Sequence, residues 1–266
     1  MKLSPIFVGG AGRSGTTLLR VILDAHPSIA CGPELKITPA LCQFWLNLQT
    51  AFLPALEGYG LGPEDVNDAV SGMLDRFLEP YLARSKKSRI AEKSPNNVFF
   101  FEHLHIIFPE SPLVHVIRDG RDVVCSLLTM NWVDPATRAP IDYTRDVRKA
   151  AEYWVKAVRA GRTAAKNVEG CYFELRYEAL VADPEPTLRG LFDFLREPWD
   201  AAVLRYHEDK QRNLAGESSA TQVAKPIYAT ASGRWRRDLT VAQKAIVKEV
   251  AGSLLIELGY ATDLDW

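Results

Sequence analysis

The stretch Pro5-Ile6-Phe7-Val8-Gly9-Gly10-Ala11-Gly12-Arg13-Ser14-Gly15-Thr16-Thr17-Leu18-Leu19-Arg20 decides the fold. Its first half is an apolar run ending on two glycines, and its second half opens a helical pattern with Leu18, Leu19, Ile22 and Leu23. A strand that turns into a helix through Gly12 and Gly15 suits an anion: glycines let backbone N–H groups approach it, and the helix N-terminus adds partial positive charge. Ser14, Thr16 and Thr17 add hydroxyl groups. The lysine of the G-x-x-x-x-G-K-[ST] phosphate loop is missing, with Thr16 in its place, and Arg13 is the nearby source of a full positive charge.

Further short runs rich in β-branched and aromatic residues lie at 88–91, 113–117 and 170–175. Helical patterns separate them at 66–82, 97–108, 121–130, 143–166 and 186–195, and a last one at 241–258 stops at Gly259. Apolar strands alternating with helices predict an α/β fold, a P-loop-like central parallel sheet with helices on both faces, in a single domain over 1–266. Ligands then sit beyond the carboxyl ends of the strands. The stretch 209–237 has little periodicity and many small polar residues, so it reads as a lid, a binding loop or a disordered segment.

Composition narrows the function. The chain has 266 residues, 47% hydrophobic and 24% charged, with a formal net charge of −1, so there is no global basic field for nucleic acid. Cys31, Cys42, Cys125 and Cys171 form no C-x-x-C pair and share no metal spacing with histidine; reduced, half-buried thiols and no metal are expected. The apolar run at 5–8 is too short for a signal segment or a membrane span, which predicts a soluble, cytoplasmic protein.

The run at 113–117 is followed by Arg118-Asp119-Gly120-Arg121-Asp122, with Ser126 one to two turns on. Arg118 and Ser126 suit a second phosphate, gripped by a guanidinium fork and a hydroxyl. The plain alternative is a surface ion-pair cluster of Arg118, Asp119, Arg121 and Asp122.

Together, PIFVGGAGRSGTTLLRVILDAHP and VHVIRDGRDVVCSLL resemble the two nucleotide-binding segments of sulfotransferases that use 3′-phosphoadenylyl sulfate (PAPS) and release 3′,5′-ADP (PAP). Within that family the chain is most similar to the tyrosylprotein sulfotransferases. The resemblance implies a sulfotransferase fold, with a 5′-phosphosulfate loop at 12–17 and a 3′-phosphate site at Arg118 and Ser126. It places the catalytic base on Glu34 of CGPE and a catalytic lysine on Lys93 of AEKSPNN. It also places cofactor contacts on Tyr177 of RYEAL, on Ser219 and Lys225 of SATQVAKP, and on Arg234 of GRW. Arg13 and Ser219 join Glu34 and Lys93 at the reaction centre, and Lys36 keeps one basic residue used to recruit acidic peptides.

The chain departs from the family at several points. Met130 replaces a second 3′-phosphate arginine, Ala40 a second peptide-recruiting residue, and Ala91 the cysteine that would bridge to Cys31. The resemblance implies sulfuryl transfer to an acceptor hydroxyl, on a tyrosine or other phenol, by in-line attack with Glu34 as base. A small-metabolite or sugar acceptor is the alternative, and oligomeric state is open. A nucleotide kinase would need a Walker lysine and a Mg²⁺-binding aspartate at a strand end, neither of which is found in the right context.

Overall fold

The computed structural model describes residues 3–134, 136–209, 217–227 and 231–266. In chain order its elements are β1 (Ile6–Gly9), α1 (Thr16–Ala25), β2 (Ile29–Cys31), α2 (Ile37–Asn47), α3 (Leu53–Glu57), α4 (Pro63–Ser85), β3 (Arg89–Lys93), α5 (Phe101–Ile107), β4 (Leu113–Ile117) and α6 (Gly120–Leu127). There follow α7 (Val147–Ala164), β5 (Tyr172–Arg176), α8 (Tyr177–Ala182), α9 (Pro184–Leu195), α10 (Ala220–Val223), α11 (Trp235–Asp238) and α12 (Val241–Glu257). The strands form one parallel sheet in the order β2-β3-β1-β4-β5.

Side chains alternate across the strands and divide the core in two. Phe7, Ile90, Leu113 and Ile117 face α2, α4, α5, α7 and α12, while Ile6, Val8, Ala91, Val114 and Val116 face α1, α8 and α9. Residues 6–8 are fully buried, each contributing about 1.5–3 kcal/mol of apolar transfer, so this strand anchors both layers.

Six of these elements, β2, α2, α3, α8, α10 and α11, escape the sequence pattern. β2 is three residues long, too short to show a period, and α2 starts behind Lys36, whose left-handed backbone (φ 61°) makes no side-chain cap. The third strand runs on to Lys93, which is its last residue rather than part of the loop after it. Cys31, Cys42 and Cys125 are buried, correcting the half-buried expectation, and only Cys171 is partly exposed; all four thiols are free. Cys31 is the register partner of Ala91, so the fold sets the two positions side by side without a bond. Among the described residues no helix is long and apolar enough to cross a membrane, and no three His, Cys, Asp or Glu side chains are grouped to hold a metal.

Candidate active site

Because β1 lies between β3 and β4, the turns after these three strands meet at one end of the sheet. The first turn depends on glycine. Gly10 has φ 153°, and a Cβ there would come 2.4 Å from the Val116 carbonyl oxygen. Gly15 has φ 100°, and a Cβ there would meet Tyr177 Cδ2 at 2.5 Å. The Tyr177 ring therefore lies against the loop, and the Arg118 guanidinium sits 4.5 Å over its centroid. Arg13 takes a left-handed backbone (φ 71°), a strain that concentrates at functional turns.

These turns wall a cavity of about 1140 Å³. Arg13 crosses it: Nε donates to Ser126 Oγ at 3.0 Å, and Nη1 donates to Ser218 Oγ at 2.6 Å and Ser219 Oγ at 2.9 Å. Arg118 Nη1 donates to the Arg13 carbonyl at 3.1 Å and Nη2 to the Ala231 carbonyl at 2.6 Å. Burial, and then the charges of Arg118 and Arg234, hold the Arg13 guanidinium below its ordinary pKa. Such crowding is relieved by an anion.

A carboxylate of the chain itself stands where an anion would bind. Thr17 Oγ1 donates to Glu217 Oε2 at 2.9 Å, and the Lys93 ammonium, its side chain fully buried, reaches the same carboxylate at 3.1 Å. Lys93 also donates to Glu34 Oε2 at 2.8 Å, leaving Glu34 Oε1, among the described residues, facing only Lys36 Nζ at 3.8 Å. Lys93, rather than Arg13, is thus the cation that shares a ligand with Thr17 in the first turn of α1. Ser14 Oγ and Arg118 Nε are buried with no hydrogen-bond partner among the described residues. Spare donors, crowded guanidiniums and a carboxylate stand-in all fit a phosphosulfate nucleotide.

The cavity wall brings together Gly12, Arg13, Gly15, Thr16, Thr17, Glu34, Lys36, Arg118, Ser126, Tyr177, Ser219 and Arg234. Ser14 is buried within the turn. Lys225 does not join them; its side chain is exposed, and its carbonyl accepts from Tyr206 Oη at 2.8 Å. The surface ion-pair alternative is corrected too. Arg121 and Asp119 form a buried pair at 2.7 Å, with Arg121 also against Trp235 and Trp266, and Asp122 accepts from Gly233 N and Trp235 N. Arg118 points away from that cluster to the cavity. Glu92, beside Lys93 in sequence, faces the other side of the sheet, where Ser94 and Asn97 donate to it at 2.7 and 2.6 Å.

The profile of the sulfotransferase family matches residues 5–201. This chain belongs to the sulfotransferase family. Protein-tyrosine sulfotransferase A of Caenorhabditis elegans is 31% identical over 97% of this chain and 68% of its own length. Protein-tyrosine sulfotransferase 1 of Danio rerio is 30% identical over 96% and 72%. The sulfotransferase domain of the Synechococcus PCC 7002 olefin synthase superposes with a TM-score of 0.67 at 24% identity, covering 95% of each chain, and shows the same fold.

Sequence reasoning missed two residues of this sulfotransferase's cavity region. Glu217 sits among small polar residues and gives no signal, because only the fold carries it to Lys93. Tyr153 lies on a helix whose apolar stripe reads as core, yet its hydroxyl accepts from Gly12 N at 2.9 Å. Its ring stacks on Tyr143 with centroids 4.3 Å apart, and Trp132 meets Tyr143 edge-on, so one side of the cavity is aromatic.

Proposed function

We propose that residues 1–266 form one sulfotransferase domain that moves a sulfuryl group from PAPS to an acceptor hydroxyl, on a tyrosine or another phenol. The observation that carries this reading is the Glu217 carboxylate held by Thr17 and Lys93. An anion site would be assembled there on the same lysine that pairs with Glu34 through Oε2, its Oε1 facing only the more distant Lys36 among the described residues. When bound, PAPS supplies the sulfuryl group and leaves as 3′,5′-ADP.

The chain's own residues divide the remaining work. The loop 12–17, with Lys93 and Ser219, lies where it can hold the phosphosulfate, and Arg118, Ser126 and Arg234 where they can hold the 3′-phosphate. Glu34 takes the acceptor proton through Oε1. A phenol, with a pKa of about 10, needs such a base at neutral pH as the new S–O bond forms in line with the one that breaks. Lys93, already within hydrogen-bond reach of two carboxylates, meets the negative charge released on the departing nucleotide oxygen. The Trp132 and Tyr143 wall favours an aromatic acceptor, in keeping with the protein-tyrosine sulfotransferase relatives.

The test is transfer of labelled sulfate from PAPS to tyrosine peptides, simple phenols and sugar alcohols, alongside thermal stabilisation by 3′,5′-ADP and by ATP with Mg²⁺. Transfer to phenolic acceptors and stabilisation by 3′,5′-ADP alone are expected. Stabilisation by ATP with Mg²⁺ and no sulfate transfer would end this reading.

A further inference from the structure

Backbone N–H groups of a phosphate loop normally point at the ligand. In this chain one of them does not. Gly12 N donates to Tyr153 Oη at 2.9 Å, so the phenol sits against the loop. Tyr153 stands on α7 and is fixed from two sides, stacked on Tyr143 at 4.3 Å and tilted against Phe99 at 6.1 Å. Its oxygen accepts from the loop, and among the described residues no group accepts the proton it carries. That proton belongs to the cavity wall shared by Gly12 and Glu34.

We propose that Tyr153 is a further catalytic residue of this sulfotransferase, its hydroxyl donating to a sulfuryl oxygen of the donor in place of the Gly12 amide it covers. The inference rests on the sulfuryl-transfer reading above. Accepting from Gly12 leaves the phenol one role, donation; burial, with Tyr143 and Glu34 nearby, raises its pKa by more than that bond lowers it and keeps it protonated. A neutral donor on a rigid ring orients the group in flight without adding a second cation beside Lys93, as preorganised hydroxyl donors do at other transfer centres. The contact is specific to the sulfuryl group, which PAPS carries and 3′,5′-ADP lacks.

That difference supplies the test. Tyr153→Phe keeps the ring and its stack, so 3′,5′-ADP should bind within about twofold of wild type, while kcat falls by about 10²-fold, the scale of losing one preorganised donor. Incorporating 3-fluorotyrosine at 153, which retains the hydroxyl, should restore turnover. Equal losses of 3′,5′-ADP affinity and turnover would make Tyr153 a mere prop for the loop, and unchanged turnover would remove it from the reaction; either overturns the proposal. Failure of the wild-type protein to bind 3′,5′-ADP is a different result, because it removes the functional reading on which the proposal stands.

Discussion

Lys93 is a fully buried ammonium between Glu34 and Glu217. Removing one partner of such a group differs from removing the group itself. Glu34→Gln leaves Glu217 to balance the lysine, so the fold should hold while turnover drops by roughly 10²-fold, the scale of general-base loss. More acidic phenols should recover part of that activity, which a series of acceptors of graded acidity would measure. Lys93→Met strands Glu217 in a buried position, and a loss of about 3–5 kcal/mol in denaturant unfolding is expected. At the proposed 3′-phosphate position, Arg118→Ala should weaken 3′,5′-ADP much more than 5′-AMP, because only the former has a 3′-phosphate. Titrations showing equal losses would take Arg118 off that phosphate.

The stretch read from sequence as a lid is, where described, two fastened ends. At one end Glu217, Ser218 and Ser219 are held by Thr17, Lys93 and Arg13; at the other, Ala231, Gly233 and Trp235 are held by Arg118 and Asp122. Residues 210–216 and 228–230 lie outside the described residues, and with them Gly216. Thr17 has one hydroxyl proton, now given to Glu217, and a nucleotide phosphate needs the same one. Glu217→Gln removes the competing charge, so calorimetry should show 3′,5′-ADP binding roughly tenfold tighter, about 1.4 kcal/mol. Weaker or unchanged binding would mean that the carboxylate does not compete. The strand-to-helix turns at 10–17 and 118–126 were legible because glycines, a hydroxyl pair and basic residues mark them locally. Glu217 and Tyr153 were not, since their meaning comes from contacts 124 and 141 residues away in sequence.

At the scale of the whole molecule, the parallel sheet was legible from four of its strands, and the short β2 was not. The same sheet buries a titratable group the reaction does not use. His115, in the middle of β4, has its Nδ1 2.7 Å from Tyr172 Oη, and a Cβ on Gly161 would come 2.3 Å from it. Burial, aided by Arg176 and Arg162, lowers its pKa from 6.5 to about 3. The unfolded chain therefore takes up this proton first as pH falls. Stability from His115 is intact above 6.5 and drains away between 6.5 and about 3, at about 1.4 kcal/mol per pH unit. Urea midpoints measured across that window should fall in the wild type and fall less steeply in His115→Gln; parallel slopes would assign the acid sensitivity to other groups.

The Glu217 contact also bears on which anions the protein meets as rivals. A carboxylate on the same chain, carried beside Ser218 and Ser219 that Arg13 holds, competes as an intramolecular ligand at an effective concentration on the order of millimolar. Free sulfate or phosphate at millimolar levels meets a site already filled at comparable strength and gains little by entering. A nucleotide that also engages Arg118 and Ser126 has additional contacts with which to evict the plug. With the proposed donor, Glu217 would thus act as a filter against the commonest small anions, passing a ligand that also engages Arg118 and Ser126.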